Sequence, residues 1–353
     1  MAVPTTSAAA IRDEAGKITV RQRPTPVPEK TQLLVKVNYS GVCATDVHIA
    51  RGLIPYLRPK VAVGGHEGTG VIASLGPDVD ASKWAVGDRV AVRWVHIVCG
   101  TCESCTTGHE NLCAGRKLAG KDVEGTFAEY AIADSAYAVR LPENVNDAEA
   151  APILCAGVTV YKALKIANLR KGSWVSIAGA GGGLGHLAVQ YAKAMGLRVV
   201  AIDANKKDLC LSLGAEAYVD VLAPNHENGC VGAVVAATDG VGAHGALICA
   251  SSGIAYADAV KYLRKSGVLV CIGLPLKPTP IPVLPEDFVA RGLRLEGTST
   301  GDRTDTAEAL EFVARGEVKP QIVERKLEDI EAILEEIEKG TVHGKSVIKM
   351  AQV

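Results

Sequence analysis

Short apolar runs broken by Gly and Pro dominate the chain up to about residue 155. Leu33-Leu34-Val35-Lys36-Val37, Gly70-Val71-Ile72-Ala73, Arg89-Val90-Ala91-Val92 and Ala128-Glu129-Tyr130-Ala131-Ile132 read as closely spaced strands. Such spacing predicts a β-rich, barrel-like domain. The pattern then changes. Trp174-Val175-Ser176-Ile177-Ala178 is a continuous apolar run, Gly179 to Gly185 follows, and Leu187 to Ala192 has helical character. After Gly196 comes the strand-like Arg198-Val199-Val200-Ala201-Ile202-Asp203. Strand, glycine turn, helix and strand in about 30 residues predict a βαβ unit.

The alternation continues through a strand at His244 to Ala250, a helix at Asp258 to Lys265, a strand at Val268 to Ile272 and a last one near Leu293-Arg294-Leu295. This predicts a doubly wound parallel sheet. Two amphipathic helices, Asp305 to Ala314 and Leu327 to Lys339, and a closing strand, Ser346-Val347-Ile348, are expected to rejoin the first domain. At 353 residues the chain has room for two domains. No linker of low complexity separates them.

Charge excludes some functions. Lys plus Arg (38) nearly balances Asp plus Glu (39), for a net charge of −1 and no long basic run, which argues against a nucleic-acid surface. No apolar stretch reaches the ~18 residues needed to cross a bilayer. The start, Met1-Ala2-Val3-Pro4-Thr5, has neither a basic nor an apolar leader segment, so nothing points to secretion. A cytoplasmic protein without membrane or nucleic-acid partners is expected. Cys210, Cys230, Cys249 and Cys271 then fit a reducing compartment as ordinary core thiols.

The other six of the ten cysteines fall into two groups. Cys99, Cys102, Cys105 and Cys113 lie on one short segment, enough for a closed tetrahedral zinc site, which is structural. Two disulfides are the alternative in an oxidising setting. Cys43, the Gly65-His66-Glu67 step and Cys155 are scattered. Together they would give two thiolates and one imidazole with a fourth position open, the arrangement of a catalytic zinc; separately, each would be ordinary packing.

The glycine segment places backbone N–H groups and a helix N-terminus where a pyrophosphate can sit. The G-x-G-x-x-G pattern is incomplete, because Ala180 holds the first position before Gly182 and Gly185. Asp203, at the end of the next strand, is placed to accept from both ribose hydroxyls and to repel a 2′-phosphate, so NAD is expected over NADP. Lys206 and Lys207 nearby leave some NADP use open.

Several segments carry a family resemblance: Gly41-Val42-Cys43-Ala44-Thr45-Asp46-Val47-His48, Gly65-His66-Glu67-Gly68-Thr69-Gly70, Leu154-Cys155-Ala156-Gly157-Val158-Thr159-Val160-Tyr161, and Ala180-Gly181-Gly182-Gly183-Leu184-Gly185 with Ala192-Lys193-Ala194-Met195-Gly196. At these residues the chain resembles the zinc-dependent medium-chain alcohol dehydrogenases, and among them the short tetrameric fungal and bacterial branch, nearly end to end.

The resemblance implies an α/β protein. Its GroES-like β-rich catalytic domain would span 1–157 and 297–353, and a Rossmann NAD-binding domain 158–296. It implies two zinc ions per subunit. Cys43, His66 and Cys155 would hold the catalytic one, with Glu67 entering when substrate is absent; Cys99, Cys102, Cys105 and Cys113 would hold the structural one. Asp46 would orient His66, and Thr45 would take the alcohol proton and pass it through the nicotinamide ribose to His48. The implied cofactor contacts are Gly181, Gly182, Gly183, Leu184, Gly185, Asp203, Lys207, Val270 and Lys345. The implied assembly is a homotetramer acting on an alcohol and its aldehyde or ketone.

Three departures modify this expectation. Ala44 stands where the family usually has a His or Arg on the pyrophosphate, and Gly344-Lys345 where it commonly has Gly-Arg. Lysine gives a point charge rather than a fork. Both changes predict weaker NAD binding. In the substrate pocket, lined by Thr45, Ile54, Trp94 and Ser299, Ile54 replaces one of two tryptophans and Ser299 a frequent aromatic. A pocket wider than ethanol needs is therefore expected. A polyol dehydrogenase is the nearest alternative, opposed by Cys155 and the complete four-cysteine segment. A zinc-free quinone reductase would need none of these ligands. A non-catalytic zinc-binding structural protein is opposed by the proton-relay residues.

Overall fold

The computed structural model describes residues 3–223, 226–342 and 344–351. They form two compact units, one of 1–158, 301–314 and 320–353, the other of 159–300 and 315–319.

The first unit is built on a seven-stranded sheet. Its order runs Ile322–Arg325, Lys345–Lys349, Gln32–Gly41, Glu67–Leu75, Arg89–Val92 and Val139–Arg140, with Tyr130–Asp134 also pairing with Gln32–Gly41. All pairs are antiparallel except Ile322–Arg325 with Lys345–Lys349. The strand at residues 345–349 is therefore interior, bonded on both sides. A hairpin, Thr6–Arg12 with Ile18–Pro24, packs beside it through a core of Ala9, Ala10, Val37, Val47, Phe127, Ile330, Leu334 and Ile348.

In the second unit, six parallel strands are ordered Ala217–Asp220, Arg198–Asp203, Trp174–Ala178, Ala243–Ile248, Leu263–Cys271 and Arg294–Gly297. In order of appearance this is 3-2-1-4-5-6, the doubly wound order of dinucleotide-binding sheets. Every residue of Trp174–Ala178 is buried, as expected for a central parallel strand covered on both faces.

One predicted element is corrected. The helix expected at Asp258 to Lys265 is Gly253–Tyr262, started by the Ser252 hydroxyl, which accepts from Ala255 N. It stops at Leu263, and residues 263–271 are strand. Ser266, with φ +60°, and Gly267 bend that strand locally, an interruption that helical periodicity does not register.

Candidate active site and cofactor strand

The four clustered cysteines meet as anticipated. Sulfur separations are 3.5 Å (Cys99–Cys113), 3.6 Å (Cys102–Cys105) and 3.9 Å (Cys99–Cys105). A tetrahedron with Zn–S of ~2.3 Å has edges of about 3.8 Å, whereas a disulfide needs ~2.05 Å. All four are free thiols. Cys102 N and Cys99 N donate to Cys99 Sγ (3.4 Å) and Cys113 Sγ (3.5 Å). Backbone donors from Thr101 and Cys102 pull the Cys99 thiol down to about 6. The segment is a four-sulfur cage, and a zinc ion fits it.

The scattered set converges too. Cys43 caps the helix Ala44–Ala50, His66 immediately precedes the strand Glu67–Leu75, and Cys155 ends the 3₁₀ turn Ala151–Leu154. Ligand atoms of Cys43, His66, Glu67 and Cys155 all lie within 4.8 Å of one another, and the two sulfurs are 3.9 Å apart. Asp46 organises the group. Its Oδ2 accepts from Cys43 N at 2.9 Å, and its Oδ1 is 3.0 Å from His66 Nδ1. With Nδ1–H donating to Asp46, Nε2 is left as the lone-pair donor, and it is buried without any partner.

Electrostatics fit a cation there. Burial works against a charged His66, yet Asp46 and Cys43 favour positive charge on it, which a metal ion at Nε2 would supply in place of a second ring proton. The Cys155 thiol, with Lys345 and His66, favours the Cys43 thiolate against burial. An orphaned buried nitrogen, a stabilised thiolate and a second thiol form a donor set suited to zinc, with one position left over.

Glu67 and Lys345 are arranged differently from expectation. Lys345 Nζ donates to Glu67 Oε1 at 2.7 Å, and both side chains are buried. The lysine expected at the cofactor pyrophosphate is committed to a carboxylate beside the metal ligands, because a buried carboxylate needs a counter-charge. Burial still raises Glu67 to about 7, with Cys43 adding to it and Lys345 opposing. Glu67 Oε2 has no partner and lies in the hollow over Gly41, where a Cβ would sit 2.0 Å away.

Thr45 and His48 are half-buried on the first helix, one turn apart. Burial lowers the His48 pKa, with Cys43 opposing, which favours the neutral imidazole. Ile54 and Trp94 belong to one apolar cluster with Ile49, Leu57, Val95, Leu118 and Tyr137. The Trp94 and His66 rings meet edge-on at 4.8 Å, a contact that sequence reading missed because nothing local joins the two residues. Ser299 belongs to the second unit, where its carbonyl accepts from Thr159 Oγ1 at 3.5 Å.

The glycine segment leads into the helix Gly185–Ala194. A Cβ at Gly185 would fall 2.0 Å from Gly179 O, so only glycine lets the turn close on itself. Asp203 ends the strand Arg198–Asp203 and accepts from Gly181 N and Ala204 N, each at 2.7 Å. Its carboxylate is thus fixed against the glycine turn with lone pairs to spare. Gly182, Gly183 and Leu184 precede the helix, and the N–H groups of Gly182, His186 and Leu187 donate to Gly179 O, Gly182 O and Leu184 O. A dinucleotide fits this cradle. Lys207 is exposed at the start of the next helix, and Val270 is buried in the strand Leu263–Cys271.

Comparison with known proteins decides the family. Residues 29–143 match the alcohol dehydrogenase GroES-like domain and 183–315 the zinc-binding dehydrogenase domain. Alcohol dehydrogenase 1 of Emericella nidulans is 42% identical over 100% of both chains. The chain belongs to the zinc-type medium-chain alcohol dehydrogenase family. An alcohol dehydrogenase of Geobacillus stearothermophilus is 40% identical over 98% of this chain and 99% of its own. Among solved structures, acetophenone reductase from Geotrichum candidum in complex with NAD superposes with a TM-score of 0.84 at 30% identity, covering 99% and 98% of the two chains. That of the Aeropyrum pernix alcohol dehydrogenase gives 0.85 at 28%, covering 97% and 99%. This medium-chain dehydrogenase is accordingly an NAD-dependent zinc enzyme, with the GroES-like and Rossmann folds its sheets display. No single helix among the described residues is long and apolar enough to cross a membrane.

Proposed function

We propose that this alcohol dehydrogenase interconverts primary or secondary alcohols bulkier than ethanol with their aldehydes or ketones, transferring hydride to or from NAD. The observation that carries the reading is the convergence of Cys43, His66 and Cys155, with an orphaned Nε2. Bound there, zinc supplies Lewis acidity, which acidifies an alcohol hydroxyl and polarises a carbonyl. Asp46 holds the His66 tautomer. Thr45 relays the substrate proton, taking it up as its own hydroxyl proton passes on, and His48, whose neutral form burial favours, carries that proton towards solvent. Asp203 holds the ribose hydroxyls, Gly181 to Gly185 the pyrophosphate, and Lys207 and Val270 the adenosine and nicotinamide ends. Lys345 acts on Glu67 rather than on the cofactor.

Trp94 narrows the substrate pocket while Ile54 beside it leaves it wide. A kcat/KM series over straight-chain and branched alcohols tests this, with an optimum beyond ethanol expected and a shift back towards ethanol in Ile54→Trp. A series that peaks at ethanol and falls with chain length refutes it.

The same reading places the enzyme in the short tetrameric branch, as a cytoplasmic homotetramer. Its support is an apolar edge on the second unit. The strand Arg294–Gly297 ends the sheet, and Leu295, Leu276, Leu284, Phe288 and Val289 around it are exposed. A second copy would cover them. Native mass by light scattering is expected at four chains, and a monomer would refute the assembly.

A further inference from the structure

The contact between Trp94 and His66 does more than shape a pocket. The hydrogen bond from His66 Nδ1 to Asp46 fixes the tautomer and one end of the ring. It leaves the imidazole free to pivot about that bond, which would swing Nε2 off the line to the two sulfurs. The edge-on indole, 4.8 Å away at an interplanar angle of 62°, blocks the pivot. Both residues are buried, His66 fully.

Trp94 is itself held firmly. Its carbonyl accepts from Ala119 N at 2.9 Å. The preceding Arg93 is buried, donates from Nη2 to Gly301 O at 2.8 Å, and lies over the Tyr137 ring at 5.5 Å. The Tyr137 hydroxyl in turn donates to Glu110 Oε1 at 2.9 Å. A side chain needed only as pocket filler would not require so fixed a backbone.

We propose that Trp94 is a positioning residue for the metal ligand His66, setting the plane of the imidazole as Asp46 sets its tautomer. This rests on the reading of Cys43, His66 and Cys155 as a zinc site. It adds that widening the pocket at position 94 loosens the metal, whereas widening it at Ile54 does not, because Ile54 shares the apolar cluster but offers no ring to His66.

The test is zinc release from the full-length enzyme into excess chelator, followed with a chromophoric zinc indicator. The release phase of the catalytic site is the one missing from a Cys43→Ala variant. Trp94→Leu is expected to speed that phase about tenfold, in line with the loss seen when groups orienting a metal ligand are removed. Trp94→Phe should be intermediate, Ile54→Ala unchanged, and the phase from Cys99, Cys102, Cys105 and Cys113 unaffected throughout. With cobalt in the catalytic site, the d–d absorption should shift in the same order.

A Trp94→Leu rate equal to wild type overturns the proposal, as does an Ile54→Ala rate that rises equally. Should Trp94→Leu fail to fold, Trp94→Phe decides, and wild-type rate and spectrum in that variant overturn it. A wild type holding one zinc per chain instead of two refutes the zinc-site reading itself, and this proposal with it.

Discussion

Lys345 Nζ sits 2.7 Å from Glu67 Oε1, an ion pair between two buried side chains that are 278 residues apart in sequence. Removing one member of such a pair leaves the other charged and buried, at a cost of about 3–5 kcal/mol, whereas removing both is far milder. Lys345→Met should therefore lower the denaturant midpoint markedly, and Glu67→Gln combined with it should restore most of the loss. Equal destabilisation in the single and double variants would contradict the pairing.

Ala44 is exposed at the start of its helix, at a position where the family resemblance implies a charged cofactor contact. Ala44→His should lower the NAD Kd in fluorescence titration and, if cofactor release limits turnover, lower kcat as well. An unchanged Kd would count against this.

Asp203 holds the glycine turn through one 2.7 Å hydrogen bond from Gly181 N, and a second from Ala204 N fixes its other oxygen. Charged hydrogen bonds contribute about 1.5–3 kcal/mol, so Asp203→Asn should raise the KM for NAD roughly ten- to a hundredfold. The ratio of NADP to NAD efficiency should rise. A uniform loss with both cofactors would mean the residue serves only the turn.

Glu110 supplies a pH test. Burial raises its pKa, but Arg303, donating from N, Nε and Nη2, and the Tyr137 hydroxyl outweigh that and hold it below the usual 4.5. A depressed folded-state pKa stabilises fully above the unfolded value and is lost as pH falls through the folded one. The stability difference between wild type and Glu110→Gln should hold from pH 7 to about 5 and shrink at more acid pH. A difference independent of pH would refute the assignment.

The four-cysteine segment should be separable from catalysis. Cys102→Ala should lose one zinc equivalent and shorten the half-life on heating, yet retain the initial kcat/KM of freshly purified protein. An immediate loss of activity with the second zinc still bound would assign the segment a part in turnover.

Sequence reading succeeded where the controlling interactions are local. Trp174–Ala178 announces itself because both faces of a central strand are buried, and the four-cysteine cage because its ligands span 99–113. The hairpin Thr6–Arg12 with Ile18–Pro24 escaped it, since Ala8, Ala9 and Ala10 carry no alternation to read. The catalytic set runs from Cys43 to Cys155, so spacing left it open, and family resemblance rather than periodicity brought it together. The pairing of Lys345 with Glu67 was not legible, because motif position says nothing of the buried carboxylate opposite it.

That lysine begins the strand Lys345–Lys349, which is inserted between Gln32–Gly41 and Ile322–Arg325. Every metal-ligating residue leaves the ribosome long before it. A nascent chain stopped short of this strand would hold all seven candidate zinc ligands but lack both the sheet's interior strand and the cation that neutralises Glu67. Pairing of this strand thus becomes a condition on the reactive centre, and chains clipped before it cannot form the Lys345–Glu67 pair.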